Sequence, residues 1–178
     1  MNIGLISARF AKALYDYSSS AGEEDIVMGE LNLLFDIINN IQELNDSLNS
    51  PIVSYESKLN LLITATGGNP SDSCRRFFQM LLNHRREYMI DDICVKYRQV
   101  YETEKNILRV RLTTAVPLDN QRTNTLHNKL ENATGKKINL THVVQPDIIG
   151  GFVLTTDEKR LDASVKIRLQ DIRKKLTL

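Results

Sequence analysis

The chain has 178 residues, 23 Lys+Arg against 22 Asp+Glu, and a formal net charge of +1. At 42% hydrophobic and 25% charged it has the composition of a soluble globular protein, which excludes a disordered or collagen-like chain. Apolar runs such as residues 31–35 fall far short of the roughly 18 residues of a membrane-spanning helix, and the N-terminus has no secretory h-region.

Helical spacing dominates as far as Asn106. Ile6, Phe10, Ala13, Leu14 and Tyr17 form the first apolar stripe. Gly22 interrupts it. Val27, Leu31, Leu34, Phe35, Ile38 and Ile41 form the second, and residues 44–48 suggest a short third helix before Pro51 breaks the chain. Tyr55, Leu59, Leu62 and Ile63 follow, ended by Gly67, Gly68 and Pro70. Ser71 or Ser73 is placed to cap the next helix, which carries Cys74, Phe77, Phe78, Leu81 and Leu82. The last helix carries Ile90, Ile93, Cys94, Tyr97 and Tyr101. Each stripe must be buried against its neighbours, so five or six short helices predict a bundle.

Beyond Asn106 the period changes. Leu108, Val110 and Leu112 alternate with Arg109, Arg111 and Thr113, as a half-buried strand does. Leu126, Leu130 and Ala133 share a helical face, with Gly135 at the expected C-cap. A second strand runs from Ile138 and Leu140 to Val144, and a third is expected over residues 148–154, entered through Gly150-Gly151. Val165, Leu169, Ile172 and Leu176 mark a terminal helix with a basic end. The predicted class is α+β, mainly α. Residues 1–106 form the helical bundle and residues 107–178 a small β-α-β-β-α domain.

Charge divides the same way. Residues 1–106 hold 10 Lys+Arg and 15 Asp+Glu; residues 107–178 hold 13 and 7, which suggests different partners for the two halves. Catalytic equipment is missing from the pattern. Gly67-Gly68-Asn69-Pro70 lacks the Lys-Ser/Thr of a phosphate loop, and no nucleophile elbow or Cys–His motif stands out. Asp91 and Asp92 are adjacent on a helix, pointing about 100° apart, which suits a solvated face better than a metal. Two cysteines and three histidines are too few and scattered for zinc, and Cys74 and Cys94 read as reduced core residues. Arg75-Arg76 and Arg85-Arg86 read as solvated pairs or as fasteners between helices. No catalytic residue, metal, cofactor or small-molecule substrate is therefore expected, and the aromatic-poor basic half argues against nucleic acid. Two small domains of opposite charge point to a connector.

Four stretches carry a resemblance. Ser7-Ala8-Arg9-Phe10-Ala11-Lys12-Ala13-Leu14 is similar to the Ala-Arg-Arg-Tyr-Ala-x-Ala-Leu opening of the delta subunits of F-type ATP synthases, whose mitochondrial counterpart is the oligomycin sensitivity-conferring protein. Residues 77–97 resemble that family's Phe-Leu-x-x-Leu-x-x-Asn-x-Arg segment, and residues 110–121 its strand ending in Ala-x-Pro-Leu. Residues 148–176 resemble its closing Ile-Gly-Gly-Phe…Asp-x-Ser-x-x-x-Arg-Leu signature, the most specific of the four. Phe10 departs from the usual Tyr, and Gln145-Pro146-Asp147 from the usual Asp-Pro run.

The resemblance implies a six-helix bundle and a non-catalytic stator subunit, joining the peripheral stalk to the catalytic head so that rotor torque drives ATP synthesis. It implies a groove between the first and fifth helices for an alpha-subunit N-terminal helix. The carried-over positions are Arg9, Phe10, Ala13, Leu14 and Tyr17 with Phe77, Phe78, Leu81 and Leu82. Most of these nine must be core, so three or four are expected to face the groove, with Phe10, Tyr17 and Phe78 favoured as large aromatics. For the stalk b subunit the implied positions are Phe152, Leu154, Val165, Leu169 and Ile172, with Arg168, Arg173 and Lys174 at the rim. The implied location is the cytoplasmic face of a bacterial plasma membrane, reached only through the complex. A free-standing scaffold, a nucleic-acid binder using the basic half, and an enzyme remain as alternatives.

Overall fold

The apolar stripes of the first half become six α-helices in a computed structural model, which describes residues 3–176. They are α1 (Ile3–Ala21), α2 (Glu24–Asn40), α3 (Gln42–Asn49), α4 (Tyr55–Ala65), α5 (Asp72–Asn83) and α6 (Ile90–Glu104). A 3₁₀ turn, Glu87–Met89, leads into α6 and adds one element to the expected helices. Ser54 and Ser71 cap α4 and α5, each hydroxyl accepting from the backbone N–H three residues on. The chain divides into two compact units, residues 1–102 and 103–178.

In the first unit α5 packs against α1, α2 and α4. Leu31, Leu34, Leu48, Leu62, Phe78, Leu81, Met89, Ile93 and Tyr97 fill the centre. Each such side chain contributes about 1.5–3 kcal/mol on burial. The buried Tyr97 hydroxyl lies 3.0 Å from Ser18 Oγ and donates to the Glu24 carbonyl at 3.3 Å, so its one polar atom is satisfied. After α5, Arg85 takes a left-handed conformation (φ +52°), while the N–H of Arg86 bonds the Leu81 carbonyl. Glycine usually holds that position.

The second unit is β1 (Ile107–Thr114), α7 (Asn120–Thr134), β2 (Lys137–Val144), β3 (Phe152–Thr155), β4 (Arg160–Asp162) and α8 (Val165–Leu176). The strand order is β2-β1-β3-β4. β1 and β2 are parallel, in the register Ile107↔Lys137, and the remaining pairs are antiparallel. Gly135 ends α7 at φ +66°. The expected β-α-β-β-α order is corrected by β4, which inserts a fourth strand. The third strand starts at Phe152 rather than Ile148, because Pro146–Ile148 winds as a 3₁₀ turn. Gly151 then turns at φ +75°, where a Cβ would lie 2.3 Å from the Ala163 carbonyl oxygen. That close approach seats the turn under the start of α8, whose Val165 N–H bonds the Gly150 carbonyl at 2.9 Å.

Candidate functional site

The first unit carries an open groove of about 370 Å³ between α1 and α5. Ala13, Leu14 and Tyr17 form one wall; Ser73, Arg76, Phe77 and Met80 form the other. Positions 73, 76, 77 and 80 share one face of α5 by their three- and four-residue spacing. Two independent anchors fix that helix. Ser71 caps it, and Glu30 on α2 accepts from the Ser71 N–H at 2.6 Å and its hydroxyl at 2.7 Å. Glu23 accepts from the Ser73 N–H at 3.1 Å.

Leu14 and Phe77 form the buried floor, and Ala13 is exposed. Tyr17 is 44% exposed at the rim, and Arg76 donates to its hydroxyl at 3.0 Å, fastening α5 to α1. Ser73 Oγ is buried and has no hydrogen-bond partner among the described residues. The arrangement is an apolar trough with a polar rim. It presents packing surface and no reacting group, which suits an amphipathic helix.

Of the nine expected groove positions, Ala13, Leu14, Tyr17 and Phe77 line it. Arg9 is exposed away from the lining, and Phe10 packs edge-on against Phe77 with ring centroids 6.5 Å apart. Phe78 and Leu81 are fully buried in the core and Leu82 is buried beside them, so these three are corrected to core residues. Leu82 also touches a second, polar cleft of about 550 Å³ lined by Tyr55, Lys58, Arg85, Glu87 and Tyr88. Ser73, Arg76 and Met80 were missed. Their spacing from Phe77 was the available signal.

In the second unit the terminal helix leaves an apolar stripe open. Val165, Leu169 and Ile172 on α8 are all exposed, as is Phe152, while Leu154 is half-buried. Arg168 and Arg173 are exposed around that stripe.

Among the described residues the titratable groups form no reactive centre. Burial pushes the Cys94 thiol up to about 12, and burial followed by the hydrogen bond with Glu30 raises Cys74 further, so neither is a ready nucleophile. Burial and then the Asp92 charge raise Asp91. Among the described residues no three His, Cys, Asp or Glu side chains converge to hold a metal ion.

The family model described as ATP synthase delta (OSCP) subunit matches residues 6–176. The chain belongs to that family. The ATP synthase subunit delta of Parabacteroides distasonis is 38% identical over 173 residues, covering 97% of this chain and 96% of the relative. The subunit delta of Bacteroides fragilis is 34% identical over 175 residues, with 97% and 94% covered. A chain of the Toxoplasma gondii mitochondrial ATP synthase hexamer shares the fold, with a TM-score of 0.69 at 22% identity over 97% of both chains. As a delta-family chain the protein is a non-catalytic stator component of an F-type ATP synthase.

Proposed function

We propose that this delta-family chain joins the peripheral stalk to the top of the catalytic head, with α1–α6 acting as one bundle that receives an N-terminal helix of an alpha subunit in the α1–α5 groove. The groove carries the reading: its floor of Leu14 and Phe77 is apolar, α5 is anchored to α2, and the trough is open to a helical guest. The basic second unit would hold the b subunit, through the open stripe Val165, Leu169 and Ile172 with Phe152 and Leu154, and Arg168 and Arg173 at its border. The membrane is reached through these partners, on its cytoplasmic face. No described helix is long and apolar enough to cross it.

The test is isothermal titration of the full chain with a synthetic alpha-subunit N-terminal peptide. One-to-one binding is expected, weakened at least about tenfold by Ala13→Glu or Met80→Glu, which place a charge in the trough. Unchanged affinity in both variants, with unchanged thermal melting, would overturn the assignment.

A further inference from the structure

The β1–β2 register decides which backbone groups of β2 face outward. Lys137 N–H bonds the Asn106 carbonyl at 3.0 Å, and Gln145 N–H bonds the Thr114 carbonyl at 2.7 Å. With residues 107–114 paired in step to 137–144, the odd-numbered residues of β2 bond to β1. The N–H and carbonyl groups of Ile138, Leu140, His142 and Val144 therefore point away from the sheet. β2 is an edge strand, at the opposite side of the sheet from β4.

The two ends of this edge are treated differently. Ile138 is capped on both groups: its N–H donates to Glu131 Oε1 at 3.2 Å, and its carbonyl accepts from His127 Nε2 at 2.9 Å. Both capping side chains come from α7 and substitute for a neighbouring strand. Beyond Ile138 the capping stops. The outward groups of Leu140, His142 and Val144 have no partner among the described residues, and residues 139–145 contain no charge and no proline. Val143 and Val144 are 40% and 42% exposed. Natural sheets guard a free edge with lysine, proline, a bulge or a cover. Here the guard stops midway along the strand.

A cleft of about 420 Å³ lies at the capped end of this strand and reaches the free edge at Leu140; Ile107, residues 137–140 of β2 and Thr123, Asn124 and His127 of α7 line it. No acidic side chain lines it; Lys137 does, next to Lys136, in a half with 13 Lys+Arg against 7 Asp+Glu. We infer that the free edge of β2, from Leu140 to Val144, is a strand-addition site for an extended acidic segment of a partner chain. The Glu131–His127 cap sets where the added strand ends, so the guest pairs with Leu140, His142 and Val144 and is excluded from Ile138. Main-chain hydrogen bonds supply the affinity, and Lys136 and Lys137, just past the capped end, supply the preference for acid at the end of the guest beside Leu140. This site uses none of the residues assigned to the alpha or b subunits.

Residue-resolved amide exchange on the full chain, titrated with the heptapeptide Glu-Val-Glu-Val-Thr-Val-Glu, tests it. Exchange at Leu140, His142 and Val144 is expected to slow at least about tenfold while Ile138, already capped, is unchanged. The same peptide with Lys for Glu is expected to bind at least about tenfold more weakly. Val144→Pro removes an outward N–H and leaves the β1 ladder intact, so it should abolish the protection without lowering the melting temperature. Unslowed exchange overturns the site, and equal binding of the Lys peptide overturns the acidic guest. Protection that rises with protein concentration alone overturns the partner in favour of a second copy of this chain.

Discussion

Glu30 holds Ser71 by two hydrogen bonds at once, from the N–H at 2.6 Å and the hydroxyl at 2.7 Å, while the Ser71 oxygen accepts from Cys74 N–H at 3.3 Å. A carboxylate on α2 thus fixes the first turn of α5, and with it one wall of the groove. Two orphan donors and a negative charge at a helix N-terminus are satisfied together. Glu30→Ala should destabilise the protein by about 1.5–3 kcal/mol, the range for hydrogen bonds to a charged group. Urea unfolding measures it, and a loss below that of Ser71→Ala alone would contradict the shared anchor.

Core on α5 and groove rim on α1 separate by burial. Phe78→Ala should cost about 3–5 kcal/mol, because it empties a fully buried site. Tyr17→Ala, at the exposed rim, should change stability by less than about 1 kcal/mol. Chemical denaturation of the two variants checks the ranking, and equal losses would contradict the burial pattern.

Lys58 Nζ meets Glu87 Oε1 at 2.5 Å, with side chains only 7% and 13% exposed, tying α4 to the 3₁₀ turn before α6. Glu87 Oε2 has no partner among the described residues. Lys58→Met leaves a buried carboxylate uncompensated and should cost about 3–5 kcal/mol, whereas adding Glu87→Leu should recover most of that loss. A double-mutant cycle without recovery would contradict a paired role.

Asp91 supplies a pH dependence. Burial, and then Asp92, raise its carboxyl above the usual range, so the folded state holds this proton more tightly than the unfolded chain does. That contribution is fully present below the unfolded pKa, about 3.9, and is lost as pH rises through the folded value. Asp91→Asn should therefore be more stable than the parent at pH 7, with the gain vanishing as pH falls below 4 or so. Thermal melts across that range decide it; a gain that persists at low pH would contradict the assignment.

Periodicity made the helices legible, and cap chemistry placed Gly135 and narrowed the α5 cap to Ser71 or Ser73, of which Ser71 holds it. β4 was not legible, because three residues are too few to show alternation. The 3₁₀ turn Pro146–Ile148 takes Ile148 out of the apolar run 148–154 expected as strand. The groove was half legible. A stripe on α5 shows that one face is apolar, but Phe78 and Leu81 lie a fraction of a turn from Phe77 and Met80. Which of them meets a neighbour depends on where α1, α2 and α4 stand, and periodicity within one helix does not hold that information. The resemblance supplied the pair of helices; packing decided the residues.

Ser73 carries a cost that belongs to the fold. Its hydroxyl lies buried beside the groove, unpaired among the described residues. It is already out of water in the chain itself, so the cost of about 1–3 kcal/mol for an unsatisfied polar atom is borne by the folded bundle and not by anything that enters the trough. An alanine at that position would lift the cost while leaving both walls in place.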